Sequence, residues 1–319
     1  MVQILLIGLG AGAAAAFLFA SVASGSLLAI LLFYLAPLPI LIAALGWSHW
    51  AGLIAALVAA AGLAATFGAF LFLAFLLGVG LPAWWLGYLA LLGRPVATPA
   101  GDSVEWYPVG RLVLWTALLS SCVIVAVLFS FGASEDSIRG ALRDGFEIIL
   151  RRQDAPLAIP DLPDVNRQID ALVSAAPPAA AMSVTLVNLI SLWLAGRIVN
   201  VSGRLPRPWP ELSAMVFPAI APALLAAAIA GLLLSGLIGI LSSVLAASLA
   251  TVYVVLGFAV LHGLTRGMNS QSLVLTGVYI AVAFVWPALL IIALLGLSDS
   301  ILDIRGRIAK KHAPPTIHP

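Results

Sequence analysis

Few side chains in this sequence have the types and spacing that catalysis or metal binding requires. The 319 residues hold no Gly-x-Ser-x-Gly turn, no Walker loop and no His-Glu-x-x-His helix, and none of the four histidines stands at a metal-like spacing from another ligand. The single cysteine, Cys122, permits no intramolecular disulfide, and its apolar neighbours in the sequence predict a buried position. We therefore expect a protein that is not an enzyme and that holds no cofactor and no metal.

Two small polar groups are nevertheless candidate sites. Asn188 and Ser191 stand three residues apart, so a helix places them on one face, where they either bond to a neighbouring helix or line a pocket for an uncharged solute. Asp299, Asp303 and Arg305 either form an ion cluster at a helix end, or Asp303 simply begins a solvated tail or caps a helix. We favour packing for the first group and the solvated or capping role for the second. Replacing both aspartates with asparagine should leave membrane insertion intact.

A stripe of small residues runs along the first apolar segment. Gly8, Gly12, Ala16 and Ala20 follow one another at intervals of four, so they share one helix face and let another backbone approach closely. Packing within the chain is the simpler interpretation of this small-residue stripe. Contact with a different membrane subunit is the alternative.

These residues must be positioned by membrane helices, because the composition excludes a water-facing surface. Hydrophobic residues make up 63% of the chain, charged residues only 9%, and mean hydropathy is +1.15. Soluble domains carry about 25% charged residues. A cytosolic enzyme, a disordered scaffold and a nucleic-acid-binding protein are thereby excluded. The lipid bilayer is the expected partner, with another membrane subunit as a further candidate.

Windows without charged side chains locate the spans, since about 20 apolar residues cross the hydrocarbon layer. Such windows cover residues 1–93, 112–134, 171–196, 212–265 and 267–298. We predict an all-α, polytopic integral membrane helical bundle of about nine transmembrane helices, with eight and ten as the alternatives. The nine are 3–22, 27–46, two helices in 51–92 that meet near 67–68, 112–131, 178–194, 217–237, 242–262 and 272–295. Gly78, Gly80 and Pro82 predict a distortion in the fourth.

The long polar segment lies in the middle of the chain. Between Ser134 and Asp170 five arginines accompany eight acidic residues, and apolar side chains recur at helical spacing. We predict amphipathic helices over 134–152 and 164–173 that lie on the headgroups, cover a pore or bind a partner. The expected organisation is a five-helix region (1–132), this insert (133–177), a four-helix region (178–298) and a basic, disordered tail (299–319).

The orientation of the chain stays open at this point. Nine spans put the termini on opposite sides, and the positive-inside rule weighs six arginines against nine cations, of which five lie in the acidic insert. An even number of spans would put both termini inside. We lean toward a cytoplasmic tail, and we expect residues 1–23 to stay as a helix because a positively charged signal-peptide start is missing.

Several stretches together carry a family resemblance. They are the apolar four-helix start, the charged insert and residues 184–190, 204–212, 257–262 and 296–305. With these the chain resembles the bacterial predicted membrane proteins catalogued as domain of unknown function 2232, which implies a multi-pass protein of the bacterial inner membrane without an established activity. More remotely it is similar to the substrate-binding subunits of energy-coupling-factor vitamin transporters. That likeness implies that the small-residue stripe docks on a coupling subunit.

Two functions follow as hypotheses. The first is a transport-related, solute-binding membrane subunit without its own energy source, its substrate unknown. The second is a membrane scaffold or assembly factor that acts through protein contacts of the charged insert. A polar cavity near Asn188 would favour the first hypothesis, and a solidly packed interior there would remove most of the case for solute binding.

Overall fold

Helices make up nearly all of the regular structure. The computed structural model describes residues 1–98, 101–152, 163–285 and 287–312. The α-helices within these ranges are α1 (Val2–Ala20), α2 (Leu27–Tyr34), α3 (Pro37–Gly46), α4 (His49–Phe67), α5 (Phe70–Phe75), α6 (Leu81–Ala90), α7 (Val109–Phe131), α8 (Glu135–Arg152), α9 (Pro163–Val201), α10 (Ile220–Gly231), α11 (Leu237–Thr265), α12 (Gln271–Phe284), α13 (Pro287–Leu302) and α14 (Ile304–His312). The strands are β1 (Gly93–Thr98) and β2 (Gly101–Trp106).

Seven helical stretches of the described chain are long and apolar enough to cross a membrane. They are Val2–Ser24, Leu27–Gly46, His49–Phe67, Phe70–Ala90, Val109–Phe131, Asn166–Val201 and Leu237–Thr265. The predicted all-α membrane bundle is confirmed at this level. The count of nine is not, because α10, α12 and α13 are apolar but only 12, 14 and 16 residues long.

Glycine and proline set several helix boundaries. The predicted distortion of the fourth span is confirmed as a π-helix over Leu76–Gly80, which joins α5 to α6. The predicted span 272–295 is wrong as one helix: the chain leaves helical geometry at Val285, and α13 begins at Pro287, whose ring nitrogen has no hydrogen to donate. The predicted span 217–237 shortens to α10 between Pro218 and Gly236.

Two predicted boundaries are absent from the structure. Helix α9 continues through Pro177 and Pro178, where we expected the insert to end. Its first turns pack against α8: Ile138 is fully buried, and Arg143 donates to Asp170 at 2.7 Å. This packing offsets the cost of the prolines, because a proline inside a helix removes a backbone hydrogen bond, crowds the preceding turn and costs about 3 kcal/mol or more. The tail that we predicted as disordered is helical in α13 and α14 as far as His312, and residues 313–319 lie outside the described chain.

Close helix contacts give the bundle two distinct ends. A Cβ on Gly12 would lie 2.7 Å from the carbonyl oxygen of Ala55, and one on Gly8 would meet Ile54, so α1 and α4 run parallel. Helix α13 runs parallel to α11, because Gly296 meets Gly257 and, farther along both segments, Arg305 meets Gly263. One end carries the β1–β2 hairpin, the loop 202–219 and α14, and we call it the hairpin end. The opposite end carries α8, and we call it the α8 end.

A two-stranded hairpin connects the fourth membrane-spanning stretch to the fifth. Strands β1 and β2 pair antiparallel, with Arg94 opposite Glu105 and an ion pair of 2.7 Å between their side chains. The hairpin continues directly from α6 and leads into α7 at Val109. It therefore brings polar backbone and charged side chains to the end of the bundle where the candidate site lies.

Candidate functional site

Asn188 and Ser191 lie in packed protein between α7, α9 and α11. Asn188 is 3% exposed and its amide donates to the Ser120 hydroxyl at 3.1 Å, while Ser191 is 1% exposed. The three cavities described below are lined by other residues. The structure thus places this polar group where Asn188 of α9 bonds to Ser120 of α7.

The small-residue stripe is covered by the chain's own helix α4. Gly8 and Gly12 are buried, and a side chain on either would collide with Ile54 or with Val58. Ala16 and Ala20 are partly buried and pack against the core of α3, α4 and α6. What faces outward from α1 is a row of large apolar side chains that includes Leu6 and Phe17. A coupling subunit would therefore have to displace α4 to reach the two glycines.

Asp299 and Arg305 form an ion pair inside the hairpin end. Asp299 is 6% exposed, and its carboxylate accepts from Arg305 Nη2 at 2.7 Å, from Nε at 3.0 Å and from the Arg305 backbone N–H at 3.0 Å. Asp303 lies apart from this pair: it is exposed, adopts φ 49°, and caps α14 by accepting from the Gly306 N–H at 3.2 Å. Of the two alternatives, the ion cluster thus describes Asp299 with Arg305, and the capping role describes Asp303.

An apolar cavity of about 520 Å³ lies under the loop 202–219 at the hairpin end. Its walls are α9, α11, the start of α7 and the loop itself. The residues that line it include Trp193, Gly196, Arg207, Trp209, Phe258 and His262. Ile190 and Trp193 on its α9 wall are 54% and 51% exposed, although they belong to an apolar helix that can cross a membrane. The cavity therefore opens sideways, toward the place where lipid chains lie.

Long-range hydrogen bonds hold the loop over the cavity. Arg305 donates to the carbonyl oxygens of Ser213 and of Met215, the latter at 2.7 Å, so the Asp299–Arg305 pair fixes the loop's second half. Arg207 donates to the carbonyl oxygen of Ala90 at 2.9 Å, at the end of α6. These bonds span about 90 residues or more of sequence, and we call the loop 202–219 the cavity cover.

Aromatic rings and arginines surround the cavity. The Arg197 guanidinium lies 5.3 Å from the Trp209 ring centre and that of Arg204 4.7 Å from Trp47, both within cation–π range. Tyr279 stacks on Phe258, and its hydroxyl lies 3.3 Å from His262 Nε2. Because His262 Nδ1 lies 2.8 Å from the Phe258 carbonyl oxygen, the tautomer with the proton on Nδ1 lets Nε2 accept from Tyr279.

Arg207 is a half-buried charged residue in the wall of the cavity. Burial lowers the pKa of its guanidinium, but arginine keeps its charge under all ordinary conditions. Its Nε is buried without a hydrogen-bond partner among the described residues. We did not single out Arg207 from the sequence, although an arginine set between two prolines and two residues before a tryptophan is an unusual signal.

A second apolar cavity, also of about 520 Å³, lies between the π-helix and α7. Cys122 lines it and is exposed, so the predicted burial of this thiol is wrong. The indole nitrogens of Trp84 and Trp85 are buried nearby without partners in the described chain. A third, smaller cavity of about 130 Å³ lies between α8, α9 and α11. Among the described residues no charged side chain lines the second cavity, whereas Arg139 lines the third.

Known proteins offer no guide to this site. No protein-family model, no curated protein and no solved structure matches the chain. Among the described residues no three His, Cys, Asp or Glu side chains come close enough to hold a metal ion. The covered apolar cavity with its arginine is therefore the candidate functional site on its geometry alone.

Proposed function

We propose that this protein is a membrane subunit that binds a lipid-like, amphiphilic molecule drawn sideways from the bilayer. The observation that supports this function is the covered apolar cavity of about 520 Å³, which opens between half-exposed apolar side chains of α9. Ligand pockets typically measure about 300–1,000 Å³ and combine apolar walls with a few polar groups. Arg207 and His262 supply such groups here. The packing around Asn188 counts against a polar solute held inside the bundle.

A role in transport fits this binding function. The sequence carries no nucleotide-binding loop, so a transport system would have to take its energy from a partner subunit. Because Gly8 and Gly12 are covered by α4, docking through the small-residue stripe is not part of the proposal. The partner would contact another surface of the bundle.

A variant that fills the cavity tests the binding function. Gly196 lines the cavity, and a Cβ there would make an ordinary contact with Trp209 at 3.6 Å, so the further carbons of Gly196→Leu should extend into the ligand's space. Gly62→Leu is the matched control, since Gly62 also lies on a membrane helix but faces open space. Native mass spectrometry from mild detergent should show retained lipid on the wild type and on Gly62→Leu, and none on Gly196→Leu. Equal lipid on all three would refute the proposal.

We also propose ten membrane passes with the hairpin end in the cytoplasm. The seven long apolar stretches make ten passes together with α10, α12 and α13, if these three cross the bilayer as short, locally compressed spans. Ten of the 15 lysines and arginines then lie at the hairpin end, and the other five accompany eight acidic residues in the insert. This agrees with the positive-inside rule and puts α1's start and α14 on the same side.

A membrane scaffold is the second candidate function. Ile148 and Ile149 on α8 are 52% and 56% exposed at the α8 end, where they can contact a partner or lie in the headgroups. Replacing both with serine should remove a stoichiometric partner from the purified protein and leave retained lipid unchanged. If no partner accompanies the wild type, this candidate fails and the binding function stands.

A further inference from the structure

The charged side chains around the cavity indicate the charge of the ligand's headgroup, which the shape of the cavity does not. Arg207 lines the cavity, and no carboxylate in the described chain forms an ion pair with it. Its described partners are main-chain carbonyl oxygens, at 2.9 Å in Ala90 and 3.5 Å in Tyr107, and the ring of Trp106 at 5.9 Å. A partly buried cation without an anion is costly, so a ligand that brings one is favoured.

The neighbouring cations add to the same field. Arg197 and Arg204 lie at the same end of the bundle and face the rings of Trp209 and Trp47 in place of carboxylates. Glu211 in the cavity cover is already paired with Arg266. Three arginines near the cavity thus keep their charge uncompensated by acidic side chains of the described chain. Basic pockets between membrane helices are the usual binding sites for anionic lipid headgroups.

We propose that the ligand is a membrane lipid with an anionic headgroup, whose acyl chain fills the cavity and whose phosphate is bound by Arg207. This inference rests on the proposed binding function and adds the ligand class to it. The acyl chain would lie between α9 and α11, where the walls are apolar. The headgroup would sit beneath the cavity cover, beside Arg207. A guanidinium can give a phosphate two parallel hydrogen bonds.

Arg207 could also serve only to stabilise the fold, and the test must distinguish this role from lipid recognition. By donating to the Ala90 carbonyl at the end of α6, it caps the helix and interacts favourably with the negative end of the helix dipole. This role needs hydrogen-bond donors, whereas lipid recognition needs the positive charge as well. Arg207→Gln keeps donors and removes the charge, and Arg207→Lys keeps the charge.

The experiment measures the affinity of the purified full chain, in neutral detergent, for pyrene-labelled phosphatidylglycerol and for phosphatidylcholine with the same acyl chains. The wild type and Arg207→Lys should prefer phosphatidylglycerol by about fivefold, the equivalent of one basic residue near an anionic surface. Arg207→Gln should lose this preference and bind the two lipids with equal affinity. Arg111→Gln is the control, because Arg111 is exposed on α7 at the same end and does not line the cavity; it should keep the preference.

Two other results would overturn the proposal in different ways. Equal affinity of the wild type for the two lipids, or an unchanged preference in Arg207→Gln, would refute the anionic headgroup. If Gly196→Leu still removes both lipids in that case, the binding function itself survives. If Gly196→Leu binds both lipids as the wild type does, the cavity is not the binding site and both proposals fail. The wild-type comparison decides the charge question even if the glutamine variant does not fold.

Discussion

Removing the Asp299 carboxylate should destabilise the protein far more than removing the neighbouring Asp303 carboxylate. Asp299→Ala leaves Arg305, whose side chain is 15% exposed, with three hydrogen bonds lost and no anion beside it. Breaking a buried ion pair from one side costs about 3–5 kcal/mol. Because Arg305 retains its hydrogen bonds to the carbonyl oxygens of Ser213 and Met215, we expect a loss of stability near the lower end of this range. Asp303→Ala removes only an exposed helix cap, worth about 1 kcal/mol.

The free energy of unfolding in mixed micelles, measured by titration with SDS, compares these variants. The double variant Asp299→Ala with Arg305→Ala should cost clearly less than the two single costs combined, because neither charge is then left alone. Asp299→Ala should also weaken lipid retention, since Arg305 holds the cavity cover. If Asp299→Ala and Asp303→Ala destabilise the protein equally, the ion pair does not hold the cover and the reasoning is wrong. Insertion into the membrane should be normal in every variant, because the apolar spans drive it.

Three further predictions concern packing and topology. Gly12→Leu should destabilise the bundle by about 1–3 kcal/mol through collision with α4, whereas Gly10→Leu, which meets nothing within 4 Å, should not; SDS titration distinguishes them. Asn188→Ala should cost about 0.6 kcal/mol and leave lipid binding unchanged, so a loss of binding would return the site to the bundle interior. In cells, and in a background without the native cysteine, a membrane-impermeant maleimide should label a cysteine at Gly140 but not one at Ser103; the reverse pattern would invert the topology.

Much of the membrane architecture could be predicted because lipid imposes simple rules. A charged side chain is costly in hydrocarbon, so the windows without charges contain most of each long apolar stretch, with α2 and α3 forming one span and α5 and α6 another. Gly78, Gly80 and Pro82 likewise indicated a distortion, which the structure shows as a π-helix. The errors lie where local rules compete with packing, as at Pro177 and Pro178, which α9 accommodates against α8.

The candidate site could not be predicted, because distant residues create it. The cavity exists where the cover rests on Arg305 and Arg207, and each of these side chains bonds to carbonyl groups at least 90 residues away in the sequence. Main-chain acceptors leave no trace in side-chain motifs. The hairpin was missed for a related reason: the Arg94–Glu105 pair across its strands has no significance until the strands are known to pair.

Photo-crosslinking in a bilayer tests the central claim most directly. The protein, reconstituted with phosphatidylglycerol that carries a diazirine near the end of one acyl chain, would be irradiated, and the adducts would be mapped by mass spectrometry. Binding in the cavity predicts adducts concentrated on its walls, at residues such as Trp193 and Phe258, and their loss in Gly196→Leu. Adducts spread evenly over the outward faces of α1 and α12, and unchanged in that variant, would show that lipid merely surrounds the protein.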